Sequence, residues 1–270
     1  EVAIHIFPDF LISKGGINVH TDFEVKLYSK AIEDFKKLIR FSRTLKPLLV
    51  SLIRKFEISN LKKIVKGIIY PRYKEQMRFH DISPYSSFIP SEALKCSNLE
   101  ELSDFLSKTR YKNIIKKDKN ENKAFLIENR LDIFHYKELL NFSSRLFGKS
   151  KGVLINFFKE EISFTNLLWA LRLKRYYNLK FDELEKYIIT HDKLNISLKE
   201  FEPIFDAQYE DEILMAIPKK SKRKIEKVYA QHFNKQIDYE KTSLIEIEIC
   251  INKIRKDIYL KYLYGKYLSI

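Results

Sequence analysis

Glu160-Glu161-Ile162-Ser163-Phe164-Thr165-Asn166-Leu167-Leu168-Trp169-Ala170-Leu171-Arg172-Leu173-Lys174-Arg175-Tyr176-Tyr177 is the stretch that decides how the chain is read. Phe164, Leu167, Leu168 and Leu171 fall at i, i+3, i+4 and i+7, the spacing of one helix face. Trp169, Ala170 and Leu173 widen that face until only Glu161, Thr165, Arg172 and Arg175 form a narrow polar strip. A helix apolar on most sides is normally buried between neighbours. The segment therefore reads as a core helix.

An abbreviated copy lies earlier, at Glu57-Ile58-Ser59-Asn60-Leu61-Lys62-Lys63-Ile64-Val65-Lys66-Gly67. With Asn60 placed over Asn166, Ile58 falls on Phe164, Ser59 on Thr165, Leu61 on Leu167, Val65 on Leu171 and Lys66 on Arg172. The shared pattern is apolar, hydroxyl, Asn, Leu, three residues, apolar, cation. A decayed third version, without the Asn, lies at Lys256-Asp257-Ile258-Tyr259-Leu260-Lys261-Tyr262-Leu263-Tyr264-Gly265-Lys266. Self-similarity of this kind implies a repeated helical unit.

Composition agrees with helices. Only six Gly and seven Pro occur in 270 residues, too few for the tight turns of an all-β fold. Cys96 and Cys250 form neither a disulfide framework nor a metal-ligand spacing, which fits a reducing cytoplasm. No apolar run approaches the roughly 20 residues of a membrane span. Fifty Lys and Arg against 36 acids give a net charge of +14, attractive to nucleic acid or anionic membrane. The cations are interleaved with acids along the whole length, however, as on solvated helix faces.

In chain order, residues 1–22 read as loop or one short strand. An amphipathic helix through Phe23, Leu27, Ala31, Phe35, Leu38 and Ile39 must end near Pro47, and a second follows through Leu52 and the Asn60 motif to about Ile69, closed by Pro71. Residues 71–92 read as a connector. Ser97-Asn98-Leu99-Glu100 is spaced as a capping box for the helix of Leu99, Leu102 and Leu106. The polar run 116–123 is an exposed loop, and Ile127, Leu131, Phe134, Leu139, Phe142 and Leu146 mark a long helix. After the central helix, residues 181–189 form a short helix with Leu184 and Ile188 inward. A basic helix follows through Lys219, Lys220, Lys222, Arg223, Lys224 and Lys227. Finally Leu244, Ile247, Ile251, Ile254 and Ile258 give the seam of a helix lying along another.

No catalytic constellation emerges. Phe147-Gly148-Lys149-Ser150 imitates the end of a phosphate-binding loop, but Ser143 stands where that loop needs Gly. His5, His20, His80, His135, His191 and His232 show no paired metal spacing, and His135 reads as a packed histidine. Glu100-Glu101 and Glu160-Glu161 are placed at helix starts, where the macrodipole favours negative charge. No catalytic residue, cofactor or metal is therefore assigned.

The succession Ser107-Lys108-Thr109-Arg110-Tyr111, then Glu128-Asn129-Arg130-Leu131-Asp132-Ile133-Phe134-His135-Tyr136, then Glu161 to Leu167 with Arg172 downstream, resembles the C-subunit family of V-type and A-type rotary ATPases, whose eukaryotic members are the d subunits. The resemblance implies an all-α fold of three pseudo-repeated helical units forming a funnel. Here they would span 1–96 with an atypical N-terminus, 97–178 and 179–270.

It further implies a non-catalytic, cytoplasmic central-stalk protein, peripheral on the inner membrane face. Such a protein links D- and F-type shaft subunits to the membrane rotor ring during ATP-driven H+ or Na+ transport, without homo-oligomerising. Asn60, Lys66, Asn166, Arg172 and Arg175 are the residues expected to meet a partner, since cations beside a short amide suit carboxylates or helix C-termini. The same residues can instead satisfy groups within the chain. The competing class is a basic helical nucleic-acid-binding protein using residues 219–227 as a phosphate-contacting stripe, with binding that weakens steeply in salt.

Overall fold

The computed structural model describes residues 19–115, 124–192, 194 and 197–264, and among these the chain is α-helix, 3-10 turn and loop, with no strand. Residues 1–18, the polar run 116–123, and Gly265 and Lys266 of the third motif copy lie outside the described residues. The contacts divide the chain into two compact units at Phe142/Ser143, inside the span 97–178 expected for a middle unit. Each unit holds one Asn-centred helix.

The first unit opens with α1 (Val19–Phe41) and α2 (Lys46–Ile69). The first helix stops at Phe41, short of Pro47, and Pro47 lies in the first turn of α2. A first-turn residue has no intrahelical partner for its N–H, so proline is tolerated there. Pro71 closes the helix and starts a 3-10 turn, Pro71–Gln76. A loop leads to the single turn α3 (Pro90–Ala93) and to α4 (Leu99–Phe105). The capping box is present but shifted by one residue. Asn98 Oδ1 accepts from Glu101 N–H at 2.9 Å, and Glu101 reaches back to Ser97 N–H at 2.8 Å. Asn caps as well as Ser, and this register leaves Leu102 and Leu106 fully buried.

After α4 comes α5 (Ala124–Ser144). Ile58, Leu61, Ile64 and Val65 of α2 share one core with Leu102, Leu106, Tyr111, Ile127 and Leu131. Each such side chain contributes about 1.5–3 kcal/mol by leaving water. Packing of this kind, more than propensity, makes α2 a helix.

The second unit is built on α6 (Gly148–Tyr177), 30 residues long and thus about 45 Å. Asn178, in the left-handed region at φ 47°, ends it. Leu184 and Ile188 are buried as their spacing requires, but residues 181–187 form a 3-10 turn. Then follow α7 (Glu202–Asp206), α8 (Glu210–Met215), α9 (Lys219–Phe233) and α10 (Leu244–Tyr264). The latter runs along both α6 and α9. Its seam of Leu244, Ile247, Ile251, Ile254 and Ile258 is buried, as the alternation of three and four demands. Glu160 and Glu161 lie mid-helix, so the macrodipole does not account for them.

Candidate functional site

The two asparagines do the same thing. Asn60 Nδ2 donates to His80 O at 2.8 Å, and its Oδ1 accepts from His80 N–H at 2.9 Å. Asn166 Nδ2 donates to Ile189 O, and its Oδ1 accepts from Ile189 N–H, both at 2.9 Å. Each carboxamide thus mimics a strand partner for one residue of the loop that follows its helix. Both asparagines are buried, where an unpaired peptide group is costly. Only Asn has both a donor and an acceptor on a stem short enough to stay beside its helix.

Around the first clamp sits a buried carboxylate, Glu57. It accepts from Tyr111 OH at 2.7 Å, from Ser86 Oγ at 3.1 Å, and from the Ser87 backbone N–H. Tyr111 is delivered by a turn in which Thr109 Oγ1 donates to Leu106 O (2.7 Å) and accepts from Tyr111 N–H (3.1 Å). Burial first, and Glu57 second, push the Tyr111 hydroxyl far above its ordinary value, so it remains a donor. The His80 imidazole stands edge-on to Tyr28 and Phe56, 5.2 and 5.3 Å away. Burial, helped by Lys63, lowers its pKa to about 4. His135 is likewise buried and held at about 3, a packed histidine as its spacing indicates.

The cations of the motif pair within their own units. Lys62 reaches Asp132 at 2.7 Å and Lys66 reaches Glu128 at 3.3 Å, so the carboxylates of α5 answer the cations of α2. In the second unit Arg172 donates through Nε and Nη2 to Glu248 Oε2 at 3.1 and 2.7 Å. Arg175 pairs with Glu210, whose Oε1 also accepts from Leu244 N–H (2.7 Å) at the start of α10. Glu161, fully buried, receives Arg255 Nη2 at 2.8 Å and Thr165 Oγ1 at 3.1 Å. Glu160 takes Lys261 and Tyr262.

Asn60 and Lys66 therefore share α2, while Asn166, Arg172 and Arg175 share α6, and all five have partners inside the chain. Lys66 keeps 49% of its side chain exposed, and Arg172 and Arg175 a third of theirs. Glu57, Tyr111, Glu248 and Arg255 are not among the site residues that the sequence singles out. Glu57 opens the first motif copy, and Tyr111, Glu128 and Asp132 lie in the quoted motifs, so their signal is present there without their pairing. Glu248 and Arg255 sit on the polar face of an ordinary amphipathic pattern and announce nothing.

On the basic helix α9, Lys219, Lys220, Arg223 and Lys227 are exposed, while Lys222 lies over the Tyr239 ring and Lys224 approaches Glu160 at 3.8 Å. A cleft of about 480 Å³ opens beside Lys174, Arg175, Asn178, Asp206 and Gln208. Among the described residues no group of His, Cys, Asp and Glu gathers to hold a metal, and no helix is long and apolar enough to cross a membrane.

Similarity to known proteins bears on this arrangement. The C subunit of the A-type ATP synthase of Methanosarcina mazei is 27% identical over 160 residues, covering 57% of this chain and 44% of the relative. That of Methanosarcina barkeri is 26% identical over the same shares of the two chains. The matched stretch thus spans less than half the length of either relative. No solved structure matches. The pattern of the ATP synthase (C/AC39) subunit family matches residues 9–270, nearly the whole chain. The chain belongs to the ATP synthase (C/AC39) subunit family.

Proposed function

We propose that the chain is a non-catalytic central-stalk subunit of a V/A-type rotary ATPase, linking the rotating shaft to the membrane rotor ring during ATP-driven ion transport. Family membership across residues 9–270 is the observation that carries this reading. The side chains support it. Asn60 and Asn166 are engaged in buried clamps, which suits an adaptor that must transmit torque without deforming. The peripheral position on the cytoplasmic membrane face, the funnel of three units, and the D- and F-type shaft partners belong to the same reading.

Within it the five motif residues divide by role. Asn60 and Asn166 position their loops from inside. Lys66, Arg172 and Arg175 retain exposed surface and are the members a partner's carboxylate can reach, by sharing a cation already paired in the chain. The test is co-purification of the whole chain with the D- and F-type shaft subunits and the rotor ring of its own organism at physiological ionic strength. A stable complex indifferent to DNA and RNA is expected. Failure to bind either partner, together with nucleic-acid binding that falls steeply with salt, would overturn the proposal in favour of the basic-helix reading.

A further inference from the structure

The segments leading into the two clamp helices repeat a second feature. The offset that carries Asn60 onto Asn166 also carries Phe41 onto Phe147 and Arg43 onto Lys149. Both phenylalanines stand in solvent, 88% and 92% exposed. A lone exposed aromatic needs no explanation. The same exposed ring at matched sequence positions, at the end of α1 in one copy and just before α6 in the other, each with an exposed cation two residues on, does.

The charge along the chain next to each ring is one-sided. No acid occurs between Asp34 and Glu57, nor between Glu138 and Glu160. Arg40, Arg43 and Lys46 are exposed and make no ion pair among the described residues, unlike the cations deeper in α2. Leu38 and Leu45 are exposed beside Phe41. The first turn also satisfies its own backbone. Ser42 N–H donates to Leu38 O at 3.1 Å, and Leu45 N–H to Ser42 Oγ at 3.2 Å. In the second segment Leu146 N–H donates to Ser143 O at 3.2 Å. Peptide groups already paired lower the cost of entering a poorly hydrated layer.

We infer that each of these segments is an anchor for an anionic lipid surface. The Phe41 and Phe147 rings enter the boundary between headgroups and acyl chains, and the neighbouring cations meet the headgroup phosphates. An acidic protein patch would attract the same cations. A single ring standing out at a helix end buries little against a rigid surface, however, whereas a fluid headgroup layer closes around it. The inference goes beyond the stalk reading and does not depend on it, since it concerns direct contact with lipid by this chain alone.

The experiment is co-sedimentation of the whole chain, without other subunits, with phosphatidylcholine vesicles containing about one third phosphatidylglycerol. Binding to these and not to pure phosphatidylcholine is expected. Phe41→Ser and Phe147→Ser leave the charge unchanged and should each weaken binding roughly tenfold, with circular dichroism and melting temperature held. In a Phe41→Trp chain the added fluorescence should shift blue on the same vesicles. Absence of vesicle binding by the unaltered chain would overturn the inference. So would binding that both serine variants leave intact, for then the +14 net charge alone is responsible. Neither result touches co-purification with the shaft, so the two readings fail separately.

Discussion

The two units hold their following loop with the same carboxamide clamp, yet the buried carboxylates on the two clamp helices, Glu57 three residues before its Asn and Glu161 five before, sit in different registers and are satisfied in opposite ways. Glu57 takes its hydrogen bonds from neutral donors, the hydroxyls of Tyr111 and Ser86 and the Ser87 N–H, with the Arg54 guanidinium acting on it only through space. Glu161 is met by the Arg255 guanidinium, itself nearly buried. Geometry is what the repeat shares; electrostatics is not. A clamp works only with one side chain in one place, whereas a buried carboxylate accepts any donors that complete its shell. Drift is therefore cheap beside the clamp and costly within it.

That contrast breaks first at its ionic half. Arg255→Met removes the guanidinium from a buried carboxylate and should cost about 3–5 kcal/mol of stability. Tyr111→Phe removes one neutral donor from Glu57 and should cost about 2 kcal/mol, the worth of a hydrogen bond to a charged group. Urea unfolding of the two variants measures both. Equal losses would mean that the two carboxylates are held alike, and the contrast would go.

The clamps themselves should behave as twins. Asn60→Leu and Asn166→Leu each strand one N–H and one C=O, those of His80 and of Ile189, at about 2–4 kcal/mol. Amide exchange should report loss of protection at His80 in one variant and at Ile189 in the other. If only one clamp matters, the repeat is a resemblance of sequence without shared mechanics.

Much of this is legible in the sequence. The apolar spacing of residues 164–171 and of Leu244 through Ile258 indicates buried helices because periodicity follows directly from helix geometry. Asn60 and Asn166 stand out as a matched pair for the same reason. Their targets are not legible, because His80 and Ile189 are named only by where the chain turns back, and nothing in their side chains is used. The cations illustrate a different limit. Sequence shows that Lys66 and Arg172 occupy one position, but Glu128 and Glu248 lie in unrelated registers of other helices, and pairing across a fold has no local period. The unit boundary at Phe142/Ser143 is hidden for a similar reason, since no Pro- or Gly-rich linker marks it.

Acid separates the two clamps. The first holds a histidine and the second an isoleucine. With its folded pKa lowered from 6.5 to about 4, His80 is neutral in the fold and takes up a proton more readily when unfolded. Its contribution is complete above pH 6.5 and is lost as pH falls towards 4. Each tenfold weakening of proton affinity on folding is worth about 1.4 kcal/mol, so the full loss is about 3 kcal/mol. His135, in the same unit and held at about 3, steepens the slope. Protection of the His80 N–H should therefore fade between pH 6.5 and 4 before that of Ile189. His80→Phe keeps the aromatic slot between Tyr28 and Phe56 and should flatten part of the slope; an unchanged slope would acquit His80.

The smallest effect concerns the motif cations, and it decides what they are for. Lys66, half exposed at 3.3 Å from Glu128, is the kind of pair worth about 0–1 kcal/mol. Arg172 presents two donors to one Glu248 oxygen and is less exposed, so Arg172→Gln should cost about 1 kcal/mol and Lys66→Gln less. Both variants stay folded at such values, so their effect on partner binding can be read without interference. A cation that serves only its own chain would leave shaft affinity unchanged once the small loss of stability is allowed for. A cation that also meets a partner's carboxylate should lower that affinity by more than its folding loss, because the contact is desolvated when the complex forms. Glu248→Gln supplies the control. It releases Arg172 from its internal partner without removing the guanidinium, so it should destabilise the fold slightly while leaving shaft binding intact or stronger. If Arg172→Gln and Glu248→Gln weaken the complex alike, the ion pair acts as a staple and Arg172 makes no contact of its own.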